Sequence, residues 1–274
     1  MDQLSPFFAR FALSARVFYS GQLCGISSDH ESERAGHLHV LRSGTLRIVR
    51  PGKPMQVICE PSVLFYPRPM RHQFQASEED GPELVCAQIE FGAGLLNPLV
   101  SSLPELLLVP LASMRELAPT VELLFAEAFG ERSGRQAAVD RLAEYFLVLL
   151  LRSALDHQQV QAGVLSGLAD PRLSKAITAM HERPEHAWTL VELARLAGMS
   201  RPQFAARFHE VVGATPFDYL TDWRIGAAQA LLRKGEPLKM VAPAVGYAGS
   251  TALSRVFSKR MGVAPMEWLA RNPV

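Results

Sequence analysis

The chain is constrained most by a pattern written twice in its last third. F-A-A-R-F-H-E-V-V-G-A-T-P-F-D-Y-L, from Phe204 to Leu220, reappears as L-S-R-V-F-S-K-R-M-G-V-A-P-M-E-W-L, from Leu253 to Leu269. At an offset of 49 residues Phe204 falls on Leu253, Phe208 on Phe257, Gly213 on Gly262, Pro216 on Pro265 and Tyr219 on Trp268. A shorter apolar pattern precedes each copy at an offset of 48, placing Leu190 on Leu238, Leu193 on Val241 and Gly198 on Gly246. A duplicated helical unit accounts for both.

Each copy carries its own start and stop signals. Thr189 and Glu192 form a T-x-x-E capping box, Leu190, Leu193, Ala194 and Ala197 line one face, and Gly198 ends the helix. After the turn G-M-S, Ser200 and Gln203 form a second box. Pro202 lies in the first turn, Phe204, Phe208 and Val211 supply the buried stripe, and Gly213 stops the helix. Two short helices joined by so tight a turn make a helix-turn-helix, whose second helix can enter the major groove of DNA, about 12 Å wide. Thr215 and Pro216 then open a longer helix with Leu220, Trp223, Ala227 and Leu231 inward, ending at Gly235. The second unit follows, with a support helix from Leu238 to Val245 and a recognition helix from about Ser250 to Met261 that exposes Thr251, Arg255, Ser258 and Lys259. Pro243 stands inside the support helix, where it removes a hydrogen bond and crowds the preceding turn at a cost of ~3 kcal/mol.

Charge agrees with this division. The net charge of +1 hides 14 Lys/Arg against 19 Asp/Glu in residues 1–170, and 14 against 8 in residues 171–274, so the C-terminal third suits a polyanion. With 48% hydrophobic and 20% charged residues, and no apolar run longer than Phe146 to Leu151, composition suits a globular protein without a membrane span. The N-terminus has an acid where a signal peptide would be basic, so a cytoplasmic location is expected, with no membrane partner.

The first half is punctuated differently. Short segments at Ala15–Cys24, His37–Leu41, Thr45–Val49, Gln56–Cys59, Val63–Tyr66 and Leu84–Phe91 are separated by turn residues, which predicts a β-sandwich or small barrel. Helices are expected from Leu117 to Phe129 and from Gly134 to about His157. The second carries Leu142, Phe146, Leu149 and Leu150 as a stripe and an all-round apolar run. It needs contacts on more than one face, from a partner subunit in a homodimer or from its own chain. A boundary is expected around Gln158 to Asp170. The predicted organisation is therefore α+β in two domains, a strand-rich domain over 1–160 whose long helix could also serve dimerisation, a linker over 161–171, and a helical domain over 172–274.

Three cysteines, Cys24, Cys59 and Cys86, form no C-x-x-C pair. Cys24 and Cys86 lie in apolar strand contexts, where a thiol acts either as a small buried hydrophobe or as half of a redox switch.

The paired helix-turn-helices carry A-x-x-A-G-M-S at Ala194 to Ser200, then G-A-T-P-F-D-Y-L, V-G-Y at Val245 to Tyr247, and F-S-K-R-M-G-V-A-P at Phe257 to Pro265. These motifs resemble the DNA-binding domain of the AraC/XylS transcription regulators over residues 172–270. In the first half His37-Leu38-His39 before Gly44, and Pro67 to His72, resemble the two motifs of cupin barrels, with Pro69 where a Gly usually stands. The front half is also similar to a cupin-bearing branch of regulators that includes oxidant responders.

The resemblance implies a cupin-like β-barrel with flanking helices ahead of an all-α domain with two helix-turn-helix motifs. It also implies double-stranded promoter DNA, RNA polymerase and a small-molecule or oxidant effector as partners. Base-reading side chains would fall at Arg201, Pro202, Gln203, Ala206 and Arg207 in the first recognition helix, and at Ser250, Thr251, Ala252, Arg255 and Lys259 in the second. Ala206 stands where a groove-facing Arg is common and its repeat mate is Arg255, so the second helix is expected to make the clearest guanine contact. In metal-binding cupins the motif histidines hold a divalent ion, which would make His37, His39 and His72 ligands here. The Glu that usually follows H-x-H is absent, and Glu90 is the remaining carboxylate considered. Such a metal would support a second reading, a cupin enzyme with an appended helical domain; no nucleophile–His–acid pattern or phosphate loop is present, so a non-enzymatic regulator is the leading expectation.

Overall fold

The computed structural model describes residues 4–10, 13–27, 35–92, 97–156 and 163–271. It divides into two compact units.

The first unit holds nine strands among its described residues. They are β1 (Leu13–Gln22), β2 (Gly25–Ile26), β3 (Gly36–Ser43), β4 (Leu46–Val49), β5 (Gln56–Ile58), β6 (Ser62–Tyr66), β7 (Gln73–Ala76), β8 (Glu83–Phe91) and β9 (Leu107–Pro110). They form an antiparallel five-stranded sheet in the order β1-β8-β3-β6-β9 and a four-stranded sheet in the order β2-β7-β4-β5. All six expected strands are present with bounds shifted by a residue or two; β2, β7 and β9 are additional. Alternation does the sorting. In β4 Leu46 and Ile48 are buried while Arg47 and Val49 are half-buried, and with Leu41, Ile58, Leu64, Phe74 and Leu84 they fill the space between the sheets. The Ser43-Gly44 turn requires glycine. At φ +84° a Cβ there would come within 2.4 Å of the Asp80 carbonyl oxygen.

Two helices complete this unit, α3 (Ala118–Ala128) and α4 (Arg135–Asp156). β1 is an edge strand, and α4 covers that edge. Asp140 accepts the Val17 N–H at 2.7 Å, Glu144 accepts that of Ala15 at 3.4 Å, and Gln136 donates to the Val17 carbonyl at 2.8 Å. Side chains thus satisfy backbone groups that would otherwise invite another strand. With β1 beside it and α3 packed against it, α4 buries Phe146, Leu147, Leu150 and Leu151, so the all-round apolar run finds its contacts within the chain.

The second unit is helical. Its described elements are α5 (Val164–Ala169), α6 (Leu173–Glu182), α7 (Leu190–Leu196), α8 (Arg201–Val212), α9 (Pro216–Arg233), α10 (Leu238–Ala244), α11 (Ser250–Met261) and α12 (Pro265–Arg271). Two segments from the first half of the sequence join it, α1 (Ser5–Arg10) and α2 (Pro98–Ser102). Phe7 of α1 is fully buried, edge-on to His181 at 4.7 Å and to Trp223 at 5.0 Å. Burying a phenylalanine of this kind contributes about 1.5–3 kcal/mol. Ser102 of α2 accepts the Val164 N–H at 2.7 Å, giving α5 a cap from a distant part of the chain.

Domain bounds therefore differ from the expected 1–160, 161–171 and 172–274. Residues before β1 and those between β8 and β9 contribute to the C-terminal unit, and the expected linker is largely the helix α5. Gly167 of α5 lies so close to Ile177 and Val212 that a Cβ would come within 2.6 Å and 2.9 Å of them. Residues 157–162, part of the expected boundary, lie outside the described residues. β1 and β8 pair from Leu13 opposite Phe91, so the chain leaves the sheet toward α1 and toward α2 from the same end of one ribbon.

Candidate nucleic-acid interface and barrel cavity

Both helix-turn-helices form as the repeat predicts. In the first, Thr189 accepts the Glu192 N–H at 3.2 Å while the Glu192 carboxylate accepts the Thr189 N–H at 2.8 Å. The Thr189 hydroxyl, donating to the same carboxylate at 2.8 Å, and the Thr189 N–H, with His186 beside them, lower the pKa of the Glu192 carboxyl to about 2. At the start of α8, Gln203 Oε1 accepts from the Ser200 N–H at 3.3 Å and from its hydroxyl at 3.0 Å. Both recognition helices end on a left-handed glycine, Gly213 at φ +80° and Gly262 at φ +74°. The buried stripe of α8 is Phe204, Phe208 and Val212, with Val211 half-buried, one residue later at its end than the sequence suggested. Pro243 falls in the last turn of α10, exposed, and the helix runs through it to Ala244. Its missing N–H therefore costs one bond near a helix end rather than interrupting a long ladder.

The outward faces of the two readers differ. On α11 Thr251, Arg255 and Lys259 are exposed at i, i+4 and i+8, and neither base makes an ion pair among the described residues. Ser250, Ala252 and Ser258 are half-buried beside them. The equivalent stripe on α8 is Pro202, Ala206 and Glu210, all exposed. Arg201 and Gln203 are exposed at the start of α8, where a helix meets base edges. Arg207 is exposed but engaged, since its Nε and Nη2 each donate to Asp170 at 3.2 Å and its Nη1 donates to Glu210 at 3.1 Å. Burial raises the Asp170 pKa, but the N–H groups of Arg172 and Leu173 and the Arg207 guanidinium outweigh it and leave the carboxyl below its usual range.

Long-range bonds hold the modules together. Arg224 of α9 donates to the Pro184 carbonyl at 2.7 Å and to the His186 carbonyl at 2.9 Å, while its guanidinium lies 5.7 Å from the Tyr247 ring. It thereby joins the loop before the first module to the turn of the second. Arg260 of α11 pairs with Asp218 at 2.7 Å and Asp222 at 3.2 Å on α9. No local sequence pattern marks Arg224, Arg260, Asp170 or Glu210 for these contacts.

In the barrel His37, His39 and His72 are all buried, on neighbouring ring centres 4.9–5.9 Å apart. His72 Nδ1 donates to the Met70 carbonyl at 2.8 Å, which leaves Nε2 as an acceptor, and that atom lies 2.8 Å from His39 Nε2, so a proton on His39 Nε2 joins the two rings. Glu90, opposite Ser14, is exposed, and no group of three His, Cys, Asp or Glu side chains among the described residues is arranged to hold a metal. The three rings form a hydrogen-bonded aromatic cluster, with Tyr66 stacked on His72 at 4.2 Å. Burial pushes the Tyr66 hydroxyl up to about 12.

Cys24 is exposed and Cys86 is buried, where burial pushes its thiol far up. A cavity of about 290 Å³ lies next to Cys86, lined by Phe18, Tyr19, Leu23, Ser27, Phe74, Leu84 and Cys86.

A cupin-like sheet domain together with two linked helix-turn-helices defines the class. Residues 2–156 match the family model described as Cupin, and residues 193–271 the model described as Helix-turn-helix domain. The chain belongs to the AraC-type family, in the branch that carries this cupin domain. A Streptomyces antibioticus protein named as an AraC-like transcription regulator is 34% identical over 200 residues, covering 71% of this chain; the chain spans 65% of that protein's length. The RCS-specific HTH-type transcriptional activator RclR of Escherichia coli strain K12 is 29% identical over 259 residues, 90% of this chain and 91% of that one. Both relatives are named as regulators, not as enzymes. The solved structure of unsaturated fatty acid bound ToxT from Vibrio cholerae aligns over 94% of each chain at 16% identity, with a TM-score of 0.42. Among the described residues no helix is long and apolar enough to cross a membrane.

Proposed function

We propose that the chain is a sequence-specific transcription regulator that reads promoter DNA through α8 and α11 and senses a small molecule or oxidant through its barrel. The observation that carries this is the pair of recognition helices, each with an apolar stripe inward and a polar stripe outward, held by α9. On α11 Thr251, Arg255 and Lys259 offer a hydroxyl, a guanidinium that can pair with guanine, and a cation suited to phosphate. Arg201 and Gln203 are the matching readers on α8. Purified protein titrated onto the promoters beside its gene, with and without an oxidant, tests the reading. A K_d in the nanomolar range at physiological salt, at least ~10³-fold tighter than for scrambled DNA, is expected. Equal binding to both DNAs would remove it.

A homodimer is supported by Leu123 and Tyr145, which are exposed on α3 and α4. Contact with RNA polymerase completes the reading as an activator or repressor. Oxidant sensing would fall to Cys24, the exposed thiol of the two named above. Cys24→Ala should then abolish an oxidant response and leave DNA affinity in reducing buffer unchanged; an intact response eliminates the thiol mechanism.

A further inference from the structure

We infer that the cavity beside Cys86 binds a neutral, largely apolar small molecule of one or two rings. This rests on reading the barrel as the sensor and names the chemical class of its effector. The cavity lies within the sensor unit, between β1 and β8 of one sheet and β2 and β7 of the other. At about 290 Å³ it is roughly twice the size of an apolar cavity, ~150 Å³, that takes up benzene.

Its lining decides the chemistry. Three of the seven side chains are aromatic, Phe18, Tyr19 and Phe74, and two are leucines, Leu23 and Leu84. None carries a formal charge at neutral pH, since burial keeps the Cys86 thiol protonated. An ionised ligand would leave water with no opposite charge to meet it, and that penalty excludes carboxylates, phosphates and ammonium groups. Aromatic walls favour rings, by offset stacking and edge contacts.

Two polar groups set orientation. Ser27 Oγ accepts the Phe74 N–H at 2.9 Å, so its own O–H proton remains to donate to a ligand. The Tyr19 hydroxyl donates to the Gln22 carbonyl at 2.9 Å, so its oxygen remains to accept. A ring bearing one N–H, hydroxyl or carbonyl group fits this pair. Phe18 stands at the shift of register between β1 and β8, 45% exposed, and forms part of the wall reached from outside.

Indole and indole-3-carboxylate, which share a ring system and differ in charge, test the class by calorimetry on the full-length protein. Indole should bind at one site per chain, and the carboxylate at least tenfold more weakly. Leu23→Trp, which fills the cavity from its rim, should weaken indole at least tenfold, and Phe18→Ala should weaken it several-fold; thermal melting confirms that each variant is folded, and Phe18→Ala decides the matter should Leu23→Trp fail to fold. No indole binding to the folded wild type, equal or tighter binding of the carboxylate, or unchanged indole affinity in the folded variants overturns the inference. Promoter binding by the wild type without indole is measured alongside. Its absence counts against the regulator reading, whereas a protein that holds its promoter but not indole counts against the ligand class alone.

Discussion

The two helix-turn-helix modules share a fold and differ in the face they turn outward. Position for position, α11 offers Thr251, Arg255 and Lys259 where α8 offers Pro202, Ala206 and Glu210. The inward stripes stay alike, Phe204 and Phe208 against Leu253 and Phe257, because packing on α9 demands large apolar groups in both. Duplication thus preserved the half of each helix that holds the module together and released the half that meets a partner. The charge of the first module is further reduced by Arg207, whose guanidinium is committed to Asp170 and Glu210. On the proposed reading, the second module is expected to be the stronger electrostatic and base-reading half, with the first contributing chiefly through Arg201 and Gln203.

The largest effect that would break this comparison is expected at Arg255. Arg255→Ala should weaken binding to the cognate site by ~1–3 kcal/mol, about five- to 150-fold, and relax sequence preference in one half-site. Titration of labelled promoter variants, mutated in one half-site at a time, reads both. Equal losses from the Arg201→Ala and Arg255→Ala variants would erase the asymmetry.

A smaller effect is expected at Glu210, exposed on the outward stripe of α8 that the proposed reading turns toward DNA. Glu210→Lys should tighten DNA binding several-fold and add about 1 to the magnitude of the logarithmic salt slope, as one more phosphate is neutralised. An unchanged slope across a salt titration would place Glu210 away from the backbone.

The smallest concerns Asp170. Its folded-state pKa is depressed, so the stability it contributes is present above the unfolded carboxylate pKa, ~3.9, and is lost as pH falls through the lower folded value. Asp170→Asn keeps a capping side chain but removes the charge that holds Arg207. Its melting temperature should therefore fall less than the wild type's between neutral pH and pH 3, and DNA affinity should rise slightly as Arg207 is freed. A parallel pH profile for the two proteins would show that the ion pair adds nothing measurable, as is common for exposed pairs.

The helical half was legible from the sequence because its signals are local. Capping boxes, terminal glycines and the spacing of Phe204, Phe208 and Phe257 lie within single turns, and the repeat supplied each of them twice. The six strands with clear turns around them were legible for the same reason. β7 was missed because Gln73–Ala76 is short and half polar, and α1 and α2 because five or six residues carry too little periodicity to reveal a helix. Arg207–Asp170 and Arg224–Pro184 join residues about 40 positions apart, and no local pattern marks them. Motif spacing singled out His37, His39 and His72, whereas the bond between the His39 and His72 rings depends on side-chain geometry that spacing does not reveal.

Phe7 and Ser102 carry a consequence for how such chains can be recombined. Each lies in the first half of the gene, yet each completes a helical element of the last third, Phe7 against Trp223 and Ser102 at the start of α5. A graft that joins a foreign barrel at residue 161 replaces both without touching a single helix-turn-helix residue. Exchange of sensors within this family is therefore conservative only when the incoming barrel brings an equivalent ring before its first strand and an equivalent hydroxyl before its last. The reading head inherits part of its own structure from whatever sensor precedes it.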